Sequence, residues 1–109
     1  MAYDEGVAER LREIFEDSDD IVEKKMFGGI AFMHRGNMCC GIVGDVLMAR
    51  VGPHNYQSGL SRPHAREMDF TGKSLRGFVY VDPAGFAEDD ELRDWIRLCE
   101  TFTSSLPAK

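Results

Sequence analysis

The placing of apolar residues along the chain predicts an α+β fold: a five-stranded, mainly antiparallel sheet with N-terminal and C-terminal helices packed against it, in the order α-β-β-β-β-(short α)-β-α. Three observations predict it. Apolar residues recur at three and four residues near both ends of the chain, the period of a helix with one buried face. Between Ile21 and Val51 that period gives way to short β-branched, aromatic or Met-containing runs. The breaks between those runs, Gly28-Gly29, Arg35-Gly36-Asn37 and Gly44-Asp45, suit hairpins and are far shorter than a crossover to a parallel neighbour requires.

Val7, Leu11, Ile14 and Phe15 place the first helix, with Asp4 as its N-cap and an end near Asp17, where an Asp/Ser cluster favours turns. Four strands follow, over Ile21 to Phe27, Ile30 to His34, Met38 to Val43 and Val46 to Val51. Glu23, Lys24 and Lys25 make the first of these an edge strand, since charge there discourages pairing with other chains. Both faces of the middle strands are partly apolar. One should carry the helices, while the other, with Met38, Cys40, Ile42 or their neighbours, should meet a loop or a partner chain. Asn55 to Ser61 suits two helical turns, Arg62 to Lys73 reads as an irregular loop, and Leu75 to Val81 as the fifth strand, with Gly77 marking a bulge or a close backbone approach. Asp82-Pro83-Ala84-Gly85 is a turn. A last helix begins near Asp89 and buries Leu92, Trp95, Ile96, Cys99, Phe102 and Leu106 before Pro107 ends it.

At 109 residues the chain fits one domain, residues 1–109, and 43% hydrophobic residues supply a core without disulfides or metal. The net charge of −6 disfavours wholesale attraction to nucleic acid or anionic lipid. Three cysteines, two of them adjacent, do not make a secreted disulfide framework, and the N-terminus lacks a basic region followed by an apolar stretch. The expectation is a cytoplasmic protein with reduced thiols and no membrane segment.

Few residue constellations carry chemistry. Gly28 and Gly29 read as a structural turn between two strands. Gly72-Lys73-Ser74 resembles the end of a phosphate-binding loop, but Glu67 stands where that motif needs glycine. Cys39 and Cys40, neighbours on a strand, should point to opposite faces, and no cysteine or histidine has the spacing of a zinc site, so neither metal nor cofactor is expected. Cys40 with His54 or His64 as base lacks an orienting third residue, so no catalytic set is expected. The strongest charge feature is the segment from Val46 to Arg66, which holds three arginines and no carboxylate. Arg50, His54, Arg62, His64 and Arg66 are therefore the candidate anion or partner patch, against the alternative that the arginines pair with acidic helix starts.

Lys24-Lys25-Met26-Phe27-Gly28-Gly29-Ile30-Ala31-Phe32-Met33, then Gly36-Asn37-Met38-Cys39-Cys40-Gly41 and Leu47-Met48-Ala49-Arg50-Val51-Gly52-Pro53, form an ordered series with Met68-Asp69-Phe70-Thr71-Gly72-Lys73 and Arg76-Gly77-Phe78-Val79-Tyr80-Val81. This series resembles the TfoX N-terminal domain family, named for a regulator of natural competence whose longer members add a helical C-terminal domain. The resemblance implies an α+β fold with an antiparallel sheet and a stand-alone domain here, and it supplies no catalytic motif.

The expected function is a non-enzymatic regulatory or protein-interaction domain that forms a homodimer or docks a protein through a sheet face or an edge strand. The alternatives are a binder of small anions, or an enzyme, using the Arg/His-rich segment from residue 50 to 66, and last a weak DNA binder. DNA contact by this chain alone is disfavoured by its net charge of −6.

Overall fold

Helix α1 spans Glu5–Ile14 and starts where Asp4 turns out of extended backbone, its Oδ1 accepting from the Gly6 and Val7 N–H groups at 2.8 and 3.3 Å. Val7, Ala8 and Leu11 are buried. The helix stops before Asp17, because Phe15 caps it and turns into the core, where its ring lies 5.5 Å from that of Phe32. The computed structural model describes residues 3–26, 28–70 and 73–107, with residues 26, 68–70 and 73–76 described by their backbone alone. Phe27, Thr71 and Gly72, part of the motifs above, lie outside the described residues.

The strands are β1 (Ile21–Met26), β2 (Gly29–His34), β3 (Asn37–Val43), β4 (Val46–Arg50), β5 (Ala65–Phe70) and β6 (Lys73–Val81), with helix α2 (Tyr56–Leu60) between β4 and β5. They form one sheet in the order β1-β2-β3-β4-β6-β5 with every neighbour antiparallel. The sixth strand, β5, occupies the segment expected to be a loop. Arg66 and Glu67 are exposed on this edge strand, so hydrophobic alternation does not announce it; the ladder to β6 makes it a strand.

Register decides which residues meet the helices. Ile30, Phe32, Cys40, Ile42, Leu47, Ala49, Val79 and Val81 share a core with Leu11 of α1, Tyr56 of α2, and Leu92, Trp95, Ile96 and Cys99 of α3 (Asp89–Ser104). Cys40 and Ile42, expected among the residues that meet a partner or loop, therefore belong to the helical core, while half-buried Met38 stays on the opposite side. There, two rows cross the strands. One runs Val22, Met33, Met38, Arg50, Phe78, where Arg50 joins Met38 through its carbonyl and Phe78 by register. The other runs Lys24, Ala31, Gly41, Met48, Tyr80, Arg66.

One irregularity rearranges the cysteines. Phe32 pairs with Cys40 but Met33 pairs with Met38, so Cys39 is an extra residue in β3. Such a bulge re-aims a side chain. Cys39 and Cys40 accordingly do not point to opposite faces, as simple alternation would have them; both are fully buried in the helical core.

Arg35 (φ 52°) and Gly36 (φ 85°) form the two-residue turn from β2 to β3. From it the Arg35 guanidinium donates to the carbonyls of Thr103, Ser104 and Leu106 at 3.4, 3.0 and 3.5 Å, and Asn37 Nδ2 donates to the Pro107 carbonyl at 3.0 Å. At the other end of α3, the Glu91 carboxylate accepts from the Glu88 N–H at 3.1 Å. The hairpin turn thus satisfies the orphan carbonyls of the helix C-terminus. Arg35→Ala should lower unfolding free energy by about 1–2 kcal/mol, read by urea denaturation. An unchanged midpoint would mean the clamp does not act in solution.

Candidate functional site

The sheet and helices distribute the predicted arginine patch over separate aromatic platforms. Arg50, at the end of β4, lies 5.4 Å from the Phe78 ring and 5.3 Å from the Phe102 ring, and donates to the Met38 carbonyl at 3.3 Å. Burial lowers its pKa from the ordinary arginine value. Arg62 follows α2 and stacks 4.9 Å over Trp95, beside a cleft of about 270 Å³ that also meets Glu91 and Asp94. Arg66 stacks 4.9 Å over Tyr80 and pairs with Asp82 at 3.2 Å. His54 and His64 are exposed, and the backbone of His64 (φ 66°) accepts from the Asp82 N–H at 3.0 Å. Arg50 and Arg66 thus stand in neighbouring rows of the sheet, whereas Arg62 sits against α3 with acidic neighbours.

Gly28 has φ 74°, and Gly29 sits so close to β3 that an added Cβ would lie 2.0 Å from the Ile42 carbonyl oxygen. The first glycine turns the chain; the second lets β2 approach β3.

A second constellation assembles between the bulge and α3. Cys39, Cys40 and Cys99 are all buried in the helical core. Thr103 Oγ1 donates to the Cys99 carbonyl at 3.1 Å and meets His34 Nδ1 at 2.8 Å. With the hydroxyl proton committed to that carbonyl, hydrogen-bond counting makes Nδ1 the donor. His34 Nε2 faces Asp20 Oδ2 at 3.2 Å. The neighbouring Cys40 and Cys99 thiols hold Cys39 below the ordinary thiol value, while Cys39 and burial push Cys40 up and burial pushes Cys99 up. No group of three or more His, Cys, Asp or Glu among the described residues has geometry that could hold a metal ion.

Sequence reasoning missed this cluster. Thr103 falls four residues after Cys99 and continues the buried stripe of α3, a position periodicity marks but polarity disguises. For Cys39 no such signal existed, since a bulge depends on how two strands pair.

An antiparallel six-stranded sheet packed against its N-terminal and C-terminal helices defines a small α+β domain. More particularly, the TfoX N-terminal domain matches residues 13–103, and the chain belongs to that family. Neither a curated protein nor a solved structure matches it significantly. No helix among the described residues is long and apolar enough to cross a membrane.

Proposed function

We propose that this domain regulates by binding rather than by catalysis, and that the face opposite its helices is closed by a second copy of the chain. Membership of a family named for a competence regulator supports a regulatory role. The surface itself rests on one observation: the row Val22, Met33, Met38, Arg50, Phe78 is apolar apart from Arg50, whose charge lies against two rings. Val22, at 63% exposure, is its outer end on edge strand β1, and Met33, Met38 and Phe78 are half-buried. Ala31 and Met48, in the next row, are fully buried within the chain itself, so that row is already covered and adds nothing to the open stripe. An exposed or half-buried apolar stripe of this kind is what a two-fold interface can bury.

Light scattering at micromolar concentration should give twice the chain mass of 12.3 kDa. Val22→Glu should shift the mass to that of one chain, raising the dissociation constant by at least about tenfold, because the carboxylate would lose water without gaining a partner. Its effect on monomer stability should stay within about 0.5 kcal/mol, as for other exposed positions. A wild-type chain that remains monomeric up to high concentration ends this reading.

A further inference from the structure

Among the described residues, Arg62 is the half-buried arginine whose guanidinium has no protein acceptor. Arg10, Arg12, Arg35 and Arg50 each donate to a carboxylate or a carbonyl, whereas Arg62 only stacks 4.9 Å over the Trp95 ring. Stacking holds the plane of the guanidinium and uses none of its N–H groups. Two clefts along α3 share Arg62 and Asp94 in their walls. One, of about 270 Å³, also meets Glu91; the other, of about 250 Å³, runs on to Leu98 and Thr101. Each carboxylate is half used, Glu91 Oε1 accepting from the Glu88 N–H at 3.1 Å and Asp94 Oδ1 from Arg97 at 3.0 Å. Neither pairs with Arg62, although all three line the first cleft. Opposite charges therefore border one cavity without closing on each other.

We propose that this cleft binds a free α-amino acid, its carboxylate on the Arg62 guanidinium and its ammonium on the remaining oxygens of Glu91 and Asp94. A guanidinium presents paired N–H groups that match a carboxylate, and an ammonium has three donors to share between two acceptors. A simple anion would meet two carboxylates beside one guanidinium, and a simple amine would leave Arg62 unanswered. A zwitterion satisfies both signs. Size agrees: about 270 Å³ is the share of liquid volume that about nine waters occupy, room for an amino acid of medium size. Leu98 in the adjoining cleft offers contact to an aliphatic side chain, which makes leucine the first ligand to try. None of these residues belongs to the row proposed to meet a second copy, so the two readings fail separately.

Trp95 is the single tryptophan and lies directly beneath Arg62, so its emission reports on the cleft. Leucine should change that emission saturably, with a dissociation constant on the order of 1 mM, because the groups it meets are partly in water. At ten times that concentration the thermal midpoint should rise by about 5 °C. Isocaproate, which is leucine without its amine, and isopentylamine, which is leucine without its carboxylate, should each bind at least about tenfold more weakly. Arg62→Gln should abolish binding and Asp94→Asn weaken it, while Arg66→Gln on β5 should leave it unchanged. Calorimetric titration reads the same losses without relying on the emission of a variant. The assignment is overturned by the absence of a saturable response to leucine or any other common amino acid at about 20 mM. Isocaproate binding as tightly as leucine, or binding that survives Arg62→Gln, would overturn it equally.

Discussion

Gly29→Ala should destabilise the domain by at least about 3 kcal/mol, lowering the thermal midpoint by on the order of 15 °C, or leave it insoluble. The new methyl would meet the Ile42 carbonyl oxygen at 2.0 Å and its carbon at 3.0 Å. Those are backbone atoms of the neighbouring strand, so relief requires opening the β2–β3 ladder rather than turning a side chain. Gly28→Ala is the informative control. Nothing lies within 4 Å of its added Cβ, and only the φ of 74° opposes it, at a cost of about 1–2 kcal/mol. Equal midpoints for the two variants in urea denaturation would show that the strands do not approach this closely.

Trp95→Ala should cost about 3–5 kcal/mol, the range for emptying a large aromatic site in a packed core. Trp95 is 2% exposed, faces the sheet from the middle of α3 and carries the Arg62 guanidinium 4.9 Å above its ring. Removing it takes away the core contact and the platform that holds Arg62. Trp95→Phe keeps much of the buried area and should lose about half as much. Because the chain has a single tryptophan, the red shift of its emission on denaturation follows unfolding of the wild type directly. The Ala variant needs circular dichroism, and an unchanged melting curve there would contradict the packing of α3.

The two variants probe different levels of specification. Periodicity alone placed Trp95 on the buried side of a helix, because positions three and four residues apart fall on one face whatever the rest of the molecule does. Gly29 was legible as part of a turn, but its closest neighbour is Ile42, thirteen positions away, and only the register of β2 on β3 brings them together. The same distinction runs through the candidate site. The charge of Arg50, Arg62 and Arg66 was visible in a stretch free of carboxylates, yet their partners, Phe78 and Phe102, Trp95, and Tyr80 with Asp82, lie on β6, α3 and the turn after β6.

By itself the sequence determined the α+β class, both amphipathic helices, the hairpin series from β1 to β4 and the family, since each rests on local spacing or on an ordered motif. Only the tertiary structure decided that β5 is a strand, that Cys40 and Ile42 turn towards the helices, and that Cys39 joins Cys40 and Cys99 in the helical core. The physical reason is that strand pairing and bulges belong to two chain segments at once. One extra residue in β3 redirects a thiol without changing any pattern that β3 shows alone.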